Sequence, residues 1–272
     1  MEGGISVHIT LWFEAPGGGA EDAFIRVPRS NLHLFQSLIY SVLPPDRAAF
    51  LHDEGYRVYG RRMKLFAMSW PIAARMPSFE AEAVRFPLPV RLVISTPVTD
   101  TMDGVAGGAL AARELRIGNN VVLCSRVLAE QQWAEGGSLT VRTLSPISCY
   151  SQTEREGKPY TVYLTPEDPA FVVSVRNNLL RKFRALYPDR EPPRGDVSVK
   201  PLGKVRERAA LFSPKTRFPI KGWDGRFRLE GPRELLQVAL DCGLGAKNSA
   251  GWGCVTKEAE TGCKAENSSV VK

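Results

Sequence analysis

The chain of 272 residues has no run of ~20 apolar residues, and so no candidate membrane-spanning helix. Histidine is scarce, with only His8, His33 and His52, and none is spaced with a cysteine pair as zinc sites require. The five cysteines form no C-x-x-C pair, and their odd number fits a reducing cytoplasm better than a disulfide scaffold. The opening Met1-Glu-Gly-Gly lacks the charged and apolar regions of a secretory signal. A cofactor motif and a paired carboxylate site are missing too, which disfavours a small-molecule enzyme.

What is present is concentrated near the C-terminus. Gly243-Leu-Gly-Ala-Lys-Asn-Ser-Ala-Gly-Trp-Gly253 places four glycines in eleven residues around one lysine. Backbone of this kind turns tightly and approaches a partner closely, and its N–H groups beside Lys247 form a phosphate cradle. A helical pattern precedes the loop (Pro232 to Asp241) and a short strand pattern follows it. Dinucleotide folds and P-loops need the opposite order, strand then glycines then helix. A polynucleotide backbone is therefore the better candidate.

The charge distribution agrees. The net charge is +7, but residues 176–233 hold 16 Lys or Arg against 6 Asp or Glu, a local +10, which leaves −3 for the remainder. Arginine dominates that segment, and its planar fork favours phosphate recognition over simple solvation. A basic second half on a slightly acidic remainder is the footprint of a polyanion-binding face.

Periodicity outlines the fold. Ser6 to Phe13 alternates as a half-buried strand, with His8, Thr10 and Trp12 on the outward face. A turn at Gly17-Gly-Gly19 follows. Asn31 is expected to cap a helix through Val42, stopped by Pro44-Pro45, and Asp46 to cap a short helix ending at Gly55. Strand patterns come at 56–59, 64–70, 79–86 and 90–95, then a helix over 99–113 and a hairpin over 115–127. Beyond Gly136-Gly137 lie a strand (139–144), a hairpin turning at Glu156-Gly157, and a long helix (168–187) with Phe171, Val175, Leu179, Phe183 and Leu186 on one stripe. Strands at 197–202, 218–223 and 227–230 lead to the last helix, the glycine loop and a final strand. Each half reads as βαββαβ, so the expected class is α+β with two tandem ferredoxin-like, RRM-like domains. The expected division is 1–135, 136–258, and a disordered tail over 259–272.

Acid–base chemistry on such a scaffold points to histidine. His52 lies in the last turn of the helix ending at Gly55, where the dipole and Asp53 both favour imidazolium. Tyr40 ends the preceding helix, and Lys64 follows the basic cluster Arg57, Arg61 and Arg62. A lysine can hold charge developing on a scissile phosphate, and a tyrosine can orient a 2′-hydroxyl. By spacing alone the three are no motif: His52 also suits a capping role, Tyr40 a core aromatic and Lys64 a solvated strand end.

The segments Gln36-Ser-Leu-Ile-Tyr40, Leu51-His52-Asp53, Met63-Lys64-Leu-Phe-Ala-Met-Ser69 and Thr143-Leu-Ser-Pro-Ile147, with the block Asp241 to Val255, resemble the CRISPR-associated endoribonuclease family six of the RAMP superfamily. The resemblance implies two tandem ferredoxin-like domains and cleavage of CRISPR repeat RNA without metal or cofactor. In that chemistry the 2′-hydroxyl attacks the adjacent phosphate and leaves a 2′,3′-cyclic phosphate and a 5′-hydroxyl. The family's catalytic constellation maps onto Tyr40, His52 and Lys64, with His33 in reserve. Expected RNA contacts are Gly243, Gly245, Lys247, Asn248, Ser249, Gly251 and Gly253 of the loop, and Arg61, Arg62 and Arg217. The implied partner is repeat RNA, with or without other subunits of a CRISPR effector complex, for a cytoplasmic monomer or homodimer away from membranes. A non-cleaving, repeat-binding subunit of a surveillance complex is the competing expectation.

Overall fold

The structure is a computed structural model that describes residues 7–17 and 22–258. The expected tail over 259–272, Ser6, and the second and third glycines of the Gly17–Gly19 turn lie outside the described residues. In the first half, β1 (Val7–Glu14) leads to α1 (Leu32–Val42), α2 (Pro45–Ala49), β2 (Ala67–Met68), β3 (Val90–Thr96), α3 (Thr99–Ala111), β4 (Leu115–Ile117) and β5 (Asn120–Gln131). These strands form an antiparallel sheet in the order β4-β5-β1-β3-β2. In the second half, β6 (Ser138–Thr143), α4 (Pro169–Leu186), β7 (Ser198–Pro201), β8 (Arg226–Glu230), α5 (Arg233–Cys242) and β9 (Val255–Lys257) build a second antiparallel sheet, β7-β8-β6-β9. Setting aside β4, which only extends β5, both sheets carry their strands in the order four-one-three-two. That is the ferredoxin-like arrangement, produced twice.

Each sheet buries one face under its two helices. Ile9, Leu11, Phe35, Leu38, Ile39, Leu92, Ile94 and Val105 make the first core. The stripe Phe171, Val175, Leu179 and Phe183 on α4 packs with Leu235, Leu236 and Leu240 of α5 in the second. Leu186, expected on the same stripe, packs at its edge and is only half-buried.

The other face of β1 departs from expectation. His8 and Thr10 are buried rather than solvated, because β1 is the central strand and the second unit covers its outward side. His8 is 1% exposed, and its Nε2–H donates to the Leu240 carbonyl at 3.1 Å. Burial holds its pKa down to about 4, so it is a neutral packing residue between the two units.

Local chemistry explains other shifts. Asn31 stands at the N-cap of α1 but spends its amide on the Pro28 and Arg29 carbonyls, and Pro44 rather than Asp46 precedes α2. The strand expected over 64–70 forms only at β2, because Leu65 sits at φ 52° and kinks the chain before it. Two further strands, Phe24–Pro28 and Arg206–Ala210, appear in small accessory sheets. Glu156 (φ 54°) and Gly157 (φ 73°) make the left-handed hairpin turn where expected. Among the described residues no helix is long and apolar enough to cross a membrane.

Candidate active site and nucleic-acid interface

Three side chains far apart in sequence converge at the C-terminal end of α1. Tyr40 lies in its last turn, half-buried against Phe66. The Pro44-Pro45 turn reverses the chain into α2, which continues as a π turn over Phe50–Glu54. Gly55 closes that turn at φ 61°, and a Cβ there would stand 2.7 Å from the Met63 carbonyl. The wide turn carries His52 back to Tyr40, with ring centroids 6.1 Å apart at 81°. Lys64 approaches from the chain just before the Leu65 kink, and its Nζ donates to the Tyr40 hydroxyl at 2.6 Å.

The electrostatics of the three differ. Burial pushes the Tyr40 phenol up to about 12, so it remains a proton donor across the neutral range. Burial, then repulsion from Arg62, pulls Lys64 below the ordinary lysine range, and Asp53 opposes the shift. His52 is open to solvent, its side chain 73% exposed, and its Nδ1 lies 2.6 Å from Asp53 Oδ1. With Nδ1–H directed at the carboxylate, Nε2 is the nitrogen left to face a ligand.

Cations frame this corner. Arg61 and Arg62 are exposed on the hairpin Tyr56–Val58/Arg61–Met63, and Arg62 also donates to the Asp53 carbonyl at 2.6 Å. Sequence reasoning missed Arg47, whose guanidinium bonds the Tyr56 hydroxyl (2.6 Å) and Thr101 (2.9 Å) and lies 5.1 Å from the Phe50 ring centroid. It ties α2 and the π turn to α3 and so sets the position of His52. Arg184 of α4 lies over the Tyr59 ring at 5.1 Å and joins the second unit to the same hairpin.

The glycine loop has a different geometry from an open cradle. Gly243, Gly245, Gly251 and Gly253 are buried. Leu244 N–H donates to Gly253 O, Ala246 N–H to Ser148 O, and Gly253 N–H to Pro146 O. A Cβ on Gly253 would stand 1.8 Å from the Leu244 carbonyl, and one on Gly243 2.8 Å from Ala67 Cβ. Asn248 clamps the loop from inside, donating to Leu244 O and Trp252 O, both at 2.9 Å. The glycines thus fold the loop on itself and against β2 of the first unit. Ser249 is half-buried, and its carbonyl accepts from Gln36 Nε2 at 2.7 Å. Lys247, the one charged residue of the loop, is exposed and lines the same cavity as Arg217. His33 is bound elsewhere, its Nδ1–H donating to Phe212 O at 3.1 Å. Seven residues of α1 separate it from Tyr40, about 10 Å along the axis.

Residues 128–257 match the family model "CRISPR associated protein Cas6, C-terminal". The CRISPR-associated endoribonuclease Cas6 of Pyrococcus furiosus is 27% identical over 262 residues, covering 88% of this chain and 89% of the relative. CRISPR-associated endoribonuclease Cas6 1 of Methanocaldococcus jannaschii is 24% identical, covering 86% and 88%. A solved structure of a Cas6-related protein from Pyrococcus furiosus superposes with a TM-score of 0.76 at 20% identity, covering 94% of this chain and 99% of that one.

Proposed function

We propose that this chain, a Cas6-type RAMP protein, is an endoribonuclease that processes CRISPR repeat RNA without a metal ion. The observation that carries the reading is the meeting of Tyr40, His52 and Lys64, with Lys64 Nζ 2.6 Å from the Tyr40 hydroxyl and the His52 ring beside it. These are the groups that strand scission by transesterification needs. The 2′-oxygen bonds to the adjacent phosphorus and gives up its proton, while the bond from phosphorus to the 5′-oxygen breaks and that oxygen takes a proton. The products are a 2′,3′-cyclic phosphate and a 5′-hydroxyl.

His52 is placed for proton transfer at the 5′-oxygen, because Asp53 holds Nδ1–H and leaves an exposed Nε2 for RNA. Tyr40, kept protonated by burial, orients the 2′-hydroxyl, whose proton passes to solvent water as the 2′-oxygen bonds to phosphorus. Lys64 opposes the charge that builds on the phosphorane-like centre. Arg61 and Arg62 hold flanking phosphates, and Lys247 and Arg217 hold the strand further along. In this division residues 1–135 carry the chemistry, while residues 136–258 supply the second half of the RNA surface.

The test is incubation of the protein with its cognate repeat RNA in EDTA. Cleavage to the cyclic phosphate is expected, slowed at least tenfold in His52→Ala. Cleavage that requires Mg²⁺ would overturn the metal-free chemistry, and tight binding that leaves the RNA whole would replace this reading with that of a non-cleaving subunit.

A further inference from the structure

A cavity of about 510 Å³ lies beside the glycine loop, within the ~300–1,000 Å³ range of small-ligand sites. Most of its wall comes from two hairpins of the second unit, Tyr150–Arg155/Lys158–Tyr163 and Arg206–Ala210/Ile220–Asp224 with the connection between the latter two strands. Neither hairpin belongs to the four-stranded sheet, so neither is needed to complete the βαββαβ core. The remaining wall is Gln36 of α1 and the tip of the glycine loop.

The wall is aromatic and cationic. Tyr150 and Tyr163 face each other across their hairpin, centroids 6.0 Å apart and edge to face. Phe218 is 70% exposed at the rim, with the Arg217 guanidinium 5.2 Å from its centroid. The Lys247 ammonium stands 5.8 Å from the Tyr150 centroid. Lys247 holds a left-handed backbone (φ 61°, ψ 32°) that glycine or asparagine adopts at lower cost, and this conformation presents its side chain at the mouth. No aspartate or glutamate is among the described residues that line the cavity. Aromatic faces flanked by cations, without a carboxylate, fit a flat π-ligand carrying negative charge.

Its position narrows the ligand. Gln36 and Tyr40 are one turn apart on the same face of α1, about 6 Å along the axis. We propose that this cavity receives one unstacked nucleobase of the RNA strand, from a nucleotide close to the scissile linkage, with its phosphates on Lys247 and Arg217. Tyr163 and Phe218 supply the stacking surfaces. The proposal rests on the reading of the chain as a repeat-RNA enzyme, and it adds a base-holding subsite distinct from the Tyr40, His52 and Lys64 corner.

The experiment walks 2-aminopurine, and separately an abasic site, along the repeat RNA, using His52→Ala protein for binding and wild type for cleavage. One position near the cut should show quenched fluorescence when bound, and an abasic site there should weaken binding roughly tenfold. Phe218→Ala, at an exposed position that does not threaten folding, should abolish the quenching at that position, and Phe218→Tyr should restore it. A flat walk with cleavage intact would overturn the base pocket and leave the endonuclease reading standing. Failure to bind the repeat at all would overturn both. A free 5′-mononucleotide competing as strongly as the RNA would make this a small-molecule site, and would overturn the proposal as well.

Discussion

Lys64 Nζ and the Tyr40 hydroxyl are 2.6 Å apart, joined across 24 residues by the kink at Leu65 and the last turn of α1. Each is partly buried, and burial weakens the charged form of each: the phenol is pushed up to about 12 and the ammonium is pulled down. The pair is thus a neutral phenol held by a lysine with reduced proton affinity, open on the side where His52 stands.

If Lys64 holds Tyr40 in place as one unit on the scissile phosphate, removing Lys64 should also remove the contribution of Tyr40. Lys64→Ala is expected to slow single-turnover cleavage by about 10²-fold, and Tyr40→Phe by about tenfold. The double variant should be little slower than Lys64→Ala. Full additivity of the two effects would show that the residues work independently.

The lowered proton affinity of Lys64 carries a pH consequence. In the proposed chemistry the charged ammonium opposes phosphorane charge, and that form is lost as pH rises through a value below the ordinary lysine range. Cleavage should therefore decline on the alkaline side earlier than an ordinary lysine would give. Lys64→Arg, with a guanidinium that stays charged, should remove that decline even where its rate is lower. Rate–pH profiles of the two proteins, measured on prebound RNA, decide it; identical alkaline limbs would sink the assignment.

The doubled βαββαβ order was legible because its helices carry clean apolar stripes, as α4 does with Phe171, Val175, Leu179 and Phe183. Tyr40, His52 and Lys64 were singled out only through resemblance, since residues 12 apart bear no local signature of meeting, and the structure brings the three side chains together. Two things escaped. The alternation in β1 gave the correct period, but it could not say that the polar face, with His8, would be covered by a second unit. Arg206-Glu-Arg-Ala-Ala210 pairs as a strand although it carries no apolar alternation, because its partner Ile220–Asp224 supplies the register. The loop glycines were legible as glycines, but their close approach is to protein backbone, and one chain segment does not reveal its neighbours.

Lys182 offers a test of the second core. It is 4% exposed, and its Nζ donates to the Gly243 carbonyl at 2.7 Å, at the C-terminal end of α5. Burial is the largest cause holding its pKa down to about 8, with the Cys242 and Cys149 thiols opposing. The folded value lies below the unfolded one, so between about pH 8 and 10.5 the unfolded chain binds the extra proton. Stability from this group therefore rises with pH across that window, by on the order of 3 kcal/mol at most. Thermal melts of wild type and Lys182→Met at pH 7.5 and 9.5 should show wild type gaining relative to the variant. A constant difference would mean that Lys182 keeps an ordinary proton affinity.

Gly253 and Gly60 separate packing from conformation within one experiment. Both have positive φ, 70° and 72°, so alanine strains each backbone by about 1 kcal/mol. A Cβ at Gly60 meets nothing within 4 Å, whereas at Gly253 it would lie 1.8 Å from the Leu244 carbonyl and 2.8 Å from Asn248 Nδ2. Gly253→Ala must therefore open the loop, breaking the Asn248 clamp and the hydrogen bond from Leu244 N–H to Gly253 O. The expected loss is about 3 kcal/mol or more, against about 1 for Gly60→Ala, read as midpoints of urea unfolding. Because Lys247 stands at the tip of that loop, Gly253→Ala should also weaken RNA binding. Equal destabilisation by the two would mean that the loop glycines serve conformation alone and that their close contacts are soft.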